Sequence, residues 1–371
     1  SLIRYLNVSG IKDSHPYKFF GSKTPYDSVR GDFRDVPPIR GCEPVSIWFV
    51  TRHGTRFPSG MDLPAMKATS NLKDEIIKNY IDGKGEMCAQ DISNLRDWKW
   101  IDLEKKPSVL TAEGFQELLE FGQRFRQKFY FVLADLNKSL IRATDEIRTN
   151  RSAKAGGSRT NINERCPWVL ANVQKRIGFD RELTSQTIMT FYDLCRNYRL
   201  YSTNKRDAWC ALFTDDELQI LEYIEDLKIY FKNGHGHPIN GLLGASALKD
   251  LYVNFQAATS SDHKSFVGYF SHGTMIDMIY TAMGLYYDYP GISGMERIKN
   301  RKWRTSFLTP FAANFVAVLH RYSYRIQFFL NEKELHLCDG RVCSWNSFKE
   351  KFEQFANRRL RDNKVPQPPW N

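Results

Sequence analysis

The segment Val45-Ser46-Ile47-Trp48-Phe49-Val50 constrains this chain more than any other, because it is short, apolar and rich in β-formers and runs almost directly into Arg52-His53-Gly54-Thr55-Arg56. Such a run predicts a strand with the charged cluster at its carboxyl end. In open α/β sheets the loops at that end converge, and the helices that follow present free backbone N–H groups to anions. The cluster therefore stands where a phosphate-like ligand binds.

Further elements repeat this arrangement. Thr111 is a predicted N-cap opening a helix through about Phe131, with Phe115, Leu118, Leu119, Phe121 and Phe125 at helical spacing as its apolar face. Residues 139–144 read as a strand carrying Arg142, and residues 266–271 as a strand ending at His272. Residues 275–285 predict an apolar helix behind that third strand end, and residues 311–320 a further buried strand. Three strand ends thus deliver Arg or His, and the order of elements predicts an α/β sandwich. Residues 155–159, Ala-Gly-Gly-Ser-Arg, have the composition of a loop or linker.

With 371 residues, 42% of them hydrophobic, the chain can bury a sizeable core as one large domain with an inserted cap or as two domains. Its 53 Lys and Arg against 42 Asp and Glu give a net charge of +11, which favours an anionic partner. The basic residues are scattered and no nucleic-acid-binding signature is present, so small phosphate esters account for the charge better than RNA or DNA. Phe129-Tyr130-Phe131 and Phe191-Tyr192 read as packing residues, not as a base-stacking surface. His235 and His237 flank a glycine without a third ligand at metal spacing, so no metal site is predicted. No window approaches 18 consecutive apolar residues, and no signal-like segment opens the chain at Ser1, which reads as a soluble mature product. Among seven cysteines, Cys195/Cys210 and Cys338/Cys343 would close short loops, leaving an odd thiol. Together with Asn-x-Ser sequons at Asn7, Asn137 and Asn150, they fit a secretory route, the endoplasmic reticulum lumen or beyond.

Hydrolysis of a phosphate monoester needs cations around the phosphoryl oxygens, a nucleophile in line with phosphorus and a proton for the leaving alkoxide. Arg52, Arg56 and Arg142 can pair bidentately with phosphate, and His53 can accept the phosphoryl group, with no metal or other cofactor required.

Arg52-His53-Gly54-Thr55-Arg56-Phe57-Pro58 resembles the RHGxRxP signature of the histidine acid phosphatases and phytases. Most of residues 17–355 is similar to the inositol-polyphosphate branch of that family, through Phe20–Tyr26, Arg142–Asp145, Trp209–Phe213, Pro310–Asn314 and Leu330–Lys333. The resemblance implies a three-layer α/β sandwich core of histidine-phosphatase type over residues 17–150 and 240–355. A shortened α-helical cap would occupy residues 151–239, with extensions at 1–16 and 356–371. It implies a catalytic set of Arg52, His53, Arg56, Arg142 and His272, with Lys23, Thr55 and Thr274 binding an inositol polyphosphate.

The sequence departs from that pattern at the proton donor. Where the family carries an acid one or two residues after the second histidine, this chain reads His272-Gly273-Thr274. Loss of a general acid lowers the rate by about 10²–10⁴-fold for a poor leaving group. The resemblance thus leaves open a proton-donor-deficient phosphatase, one that uses another acid, a non-catalytic binder of inositol phosphates and a broad-specificity acid phosphatase. Asp277, five residues beyond His272, is expected to cap or pack.

Overall fold

The computed structural model describes residues 16–101, 107–134, 138–144, 167–198, 208–260 and 264–357. Among the described residues seven strands form one sheet: β1 (Pro44–Arg52), β2 (Lys138–Ala143), β3 (Ser265–Ser271), β4 (Asn314–His320), β5 (Arg325–Leu330), β6 (Lys333–Leu335) and β7 (Cys343–Ser344). Their order is β2-β3-β1-β4-β5-β6, with β7 on β5. The central strand β1 runs parallel to β3 and antiparallel to β4.

Twelve helices are described. The first five are α1 (Leu63–Ser70), α2 (Leu72–Ile81), α3 (Ala89–Asp97), α4 (Ala112–Lys128) and α5 (Tyr130–Leu133). Then come α6 (Pro167–Ile177), α7 (Ser185–Tyr198), α8 (Asp215–Asn233), α9 (Ile239–Thr259), α10 (Gly273–Met283), α11 (Thr305–Leu308) and α12 (Trp345–Ala356).

Alternation along β1 sorts these helices into layers. Trp48 and Val50 face a cluster with Tyr252 and Phe255 of α9, Ile276 and Tyr280 of α10, and Phe348 and Phe352 of α12. Ile47 and Phe49 face the other way, onto Phe121 and Phe125 of α4, Val132 of α5 and Phe33. The sheet is thus covered on both faces, which is the predicted three-layer core.

A third buried cluster stands apart from the sheet. It joins Leu63, Ile76 and Leu95 of α1–α3 to Val173, Phe191 and Leu221 of α6–α8. Helices before residue 151 therefore share a core with those of the predicted cap. Both cysteine pairs read from spacing form disulfides, Cys195–Cys210 inside this cluster and Cys338–Cys343 beside β7, while Cys42 and Cys88 are thiols. The sequons at Asn7, Asn137 and Asn150, the Gly156-Gly157-Ser158 segment and Cys166 lie outside the described residues. Among the described helices none is long and apolar enough to cross a membrane.

Two local readings are corrected. The buried stripe of α4 is Gly114, Glu117, Phe121, Arg124 and Phe125, whereas Phe115 and Leu119 are exposed. The helix turns a polar pair inward because Glu117 and Arg124 are satisfied there: Glu117 by Thr55, and Arg124 by Glu332 through two 2.7 Å hydrogen bonds. Strand β4 begins at Asn314 and not at residue 311, because residues 310–313 form a turn that bonds to the end of β1.

Candidate active site

The loop after β1 is fixed by backbone bonds from two sides. Arg52 N donates to Ala313 O at 2.7 Å, His53 N to Ser271 O at 3.1 Å, and Ala312 N to His53 O at 3.0 Å. Thr111 caps α4 by accepting the Gly114 N–H at 3.0 Å, and its own N–H donates to Thr55 O at 3.0 Å. This seats the helix start directly on the loop. A Cβ on Gly54 would lie 2.1 Å from Gly114 O, and one on Gly114 would lie 2.0 Å from Thr55 O, so both contacts require glycine.

Arg52 is buried, with Nη1 donating to Ser22 O and, at 2.8 Å, to Thr309 O. Its guanidinium stacks on Phe311 at 4.6 Å. Burial, and then the neighbouring Arg56, pushes its pKa down to about 9, which leaves it cationic at neutral pH. Arg56 donates to Phe57 O at 2.9 Å.

The His53 ring stands 5.5 Å from the His272 ring, centroid to centroid. Its Nδ1 is 2.8 Å from Gly54 O. A carbonyl oxygen can only accept, so Nδ1 carries the proton and Nε2 carries the lone pair. Burial first, then Arg52, push the His53 pKa down to about 2, so the ring is a neutral nucleophile across the physiological range. His272 occupies the N-cap position of α10, which brings both imidazoles to neighbouring strand ends.

The remaining predicted residues are placed as follows. Lys23 lies on the turn whose Ser22 O meets Arg52, and its Nζ donates to Asp193 of α7 at 2.9 Å. Burial lowers its pKa, with Arg196 adding to the effect. Thr274 is partly exposed in the first turn of α10, its hydroxyl oxygen 3.4 Å from Asn233 Nδ2. Thr55 is fully buried, and its hydroxyl donates to Glu117 at 2.9 Å. Arg142 stands exposed on edge strand β2 in register with Tyr269, whose pKa burial and Asp250 push up to about 12 against the opposing charge of Arg142.

Sequence reasoning missed Glu117 and Thr309, and expected Asp277 to cap or pack. Glu117 carried one readable signal, its place three residues after Gly114 and four before Phe121 on one helical face. Among the described residues no cluster of His, Cys, Asp or Glu has a metal-binding arrangement. His235 donates instead to Leu285 O at 2.8 Å and packs on Trp303.

A neutral histidine that feels two guanidiniums and packs against a second imidazole, at the strand ends of a three-layer α/β core, marks a histidine-type phosphatase. The model of the histidine phosphatase superfamily (branch 2) matches residues 46–158 and 161–333, and the chain belongs to that family. It is similar to multiple inositol polyphosphate phosphatase 1 of Drosophila melanogaster, 28% identical over 91% of this chain and 85% of the relative. Among solved structures, the phytase from D. castellii superposes with a TM-score of 0.69 at 14% identity, covering 94% of this chain and 89% of that one. The multiple inositol polyphosphate phosphatase of Bifidobacterium longum, in complex with inositol hexasulfate, gives 0.63 at 12% identity over 90% of this chain and 97% of that one.

Proposed function

We propose that this phosphatase removes phosphate from inositol polyphosphates through a phosphohistidine at His53. The observation that carries the reading is the neutral His53 ring, with Nδ1–H held by Gly54 O and Nε2 left as the nucleophile among Arg52, Arg56 and His272. The net charge of +11 and the inositol-polyphosphate phosphatases among its relatives support the substrate class.

The guanidiniums hold the phosphoryl oxygens. The Nε2 lone pair forms the N–P bond as the ester P–O bond breaks, and the leaving oxygen takes the electron pair and then a proton from solvent. Water then cleaves the N–P bond, releasing inorganic phosphate and restoring the ring. Arg142, exposed on β2, is the third guanidinium that the family resemblance assigns to this cradle, and Thr55 is treated as a support for the loop because its hydroxyl is committed to Glu117. Neither Gly273 nor Thr274 offers a carboxyl, so protonation of the leaving group is the impaired step. Two disulfides fit the secretory compartment we infer.

The test is phosphate release from inositol hexakisphosphate beside an activated aryl phosphate, with alkaline trapping of labelled phosphohistidine in the parent and in His53→Ala. The reading expects aryl-ester turnover well above that of the inositol ester, and a label that His53→Ala abolishes. Binding of inositol hexakisphosphate with no turnover of either ester would overturn it in favour of a binding-only relative.

A further inference from the structure

Behind the cradle lies a carboxyl group that the reaction scheme does not use. Asp277 of α10 is 2% exposed and accepts at both oxygens. Thr309 Oγ1 donates to Oδ1 at 3.0 Å, and Asn233 Nδ2 donates to Oδ2 at 3.3 Å. Each donor continues to a different part of the site. The Thr309 carbonyl accepts from Arg52 Nη1 at 2.8 Å, while Asn233 Nδ2 also lies 3.4 Å from Thr274 Oγ1. The Arg52 side chain runs along the start of the same helix, since a Cβ on Gly273 would sit 3.3 Å from Arg52 Cδ.

We propose that Asp277 is a positioning residue that braces Arg52 through Thr309 and Thr274 through Asn233, and sets the positive charge that the cradle offers an anion. The inference rests on the anion-cradle reading above and adds a control element to it. The charges that act on the carboxyl are few: Arg52 of β1 is the cation facing it, Tyr280 is the titratable neighbour on its own helix, and Thr309 and Asn233 are neutral. Arg52 in turn feels Arg56 as well as Asp277 and Glu117, so two carboxyls share control of one guanidinium. Burial raises the Asp277 pKa to about 7, against its hydrogen bonds and Arg52, so its charge changes near neutral pH.

The sign follows from position. Ionised Asp277 sits behind Arg52 and weakens the field felt by a bound oxyanion, whereas protonated Asp277 leaves that field undiminished. Because Asn233 donates to the Thr274 oxygen, the Thr274 hydroxyl hydrogen is left to donate elsewhere, including to a bound oxyanion.

The probe is inorganic sulfate, whose charge is constant between pH 5 and 9, with its dissociation constant measured by calorimetry at pH 6 and pH 8. In the parent, sulfate should bind roughly three- to tenfold more weakly at pH 8. In Asp277→Asn that ratio should shrink to about twofold or less. A folded Asp277→Asn with the parental ratio overturns the proposal. Should that variant fail to fold, Thr309→Val removes one donor that favours the carboxylate, and the transition must then move to higher pH; an unmoved transition overturns the proposal equally. A parent that binds sulfate with no pH dependence sinks the Asp277 inference alone, and a parent that binds no sulfate sinks the cradle reading beneath it.

Discussion

Glu117 Oε2 accepts the Thr55 backbone N–H at 2.7 Å while Oε1 accepts the Thr55 hydroxyl at 2.9 Å, so one buried carboxyl from α4 clamps the loop that carries His53. Replacing it by Ala leaves two buried donors unsatisfied, which costs about 1–3 kcal/mol each. The loop then loses its reference to α4, and misplacement of about 1 Å lowers turnover by roughly 10²-fold. Glu117→Ala should therefore reduce kcat far more than it raises KM, and Thr55→Val should show a smaller loss in the same direction. Steady-state kinetics at fixed pH checks both.

The same carboxyl makes stability depend on pH. Burial pushes Glu117 up to about 7, from an ordinary value of 4.5. The folded state then holds a proton that the unfolded chain has released, and this contribution is complete below pH 4.5 and lost as pH rises through 7. Glu117→Gln should flatten that slope in denaturant titrations at pH 5 and pH 7.5. A slope identical to the parent's would count against the assignment.

His320, buried at the end of β4, acts in the opposite sense. Burial lowers its pKa to about 4 from 6.5, so the unfolded chain binds the extra proton between these values and stability falls as the solution is acidified through that window. A shift of that size corresponds to at most about 3 kcal/mol. His320→Gln should keep more of its neutral-pH stability at pH 4.5 than the parent does, measured as the change in denaturation midpoint.

Gly54 and Gly114 form a backbone-to-backbone contact that tolerates no side chain on either partner. Adding a methyl at Gly54 forces it to 2.1 Å from Gly114 O, and the loop and helix must separate. Overpacking of this kind costs about 1–3 kcal/mol, and more where only backbone can yield. Gly54→Ala and Gly114→Ala should each lower the melting temperature and reduce kcat, and the double variant should lose less than the sum because both disturb one contact.

What the sequence revealed follows from which physical signals are local. β1 was legible because apolar β-formers and the charged cluster adjoin in the chain, and Thr111 because an N-cap is set by a few neighbouring residues. The inward face of α4 was not, because Glu117 and Arg124 are buried only by virtue of partners at Thr55 and Glu332, far away in sequence. A count of apolar spacing therefore favoured Phe115 and Leu119, which face solvent. Arg142 was placed by its position near a strand end, but its exposure depends on β2 being an edge strand, which only the sheet order shows. Asp277 drew notice as a carboxyl near His272, yet its link to Arg52 runs through Thr309, 32 residues away.

On the proposed reading, Lys23 is the residue whose replacement would separate an inositol-directed enzyme from a general acid phosphatase. Its ammonium lies on the turn that also receives Arg52, held by Asp193, which is shared with Arg196 at 2.8 Å. Asp193 is kept ionised by Arg196 and then Lys23 despite its burial, so the pair is a cation already partly neutralised by the cap-side helix α7. On the same reading, a substrate with one phosphate seated on Arg52 and Arg56 would have no group to reach this turn, whereas one with several phosphates would. Lys23→Ala should thus raise KM for inositol hexakisphosphate about tenfold, equivalent to about 1.4 kcal/mol, while changing KM for an aryl phosphate by less than about twofold. Asp193→Asn keeps a bond to Lys23 but removes the opposing charge, and should lower KM for the polyphosphate alone. If Lys23→Ala weakens both substrates equally, the turn serves to hold Arg52 and not to select the substrate.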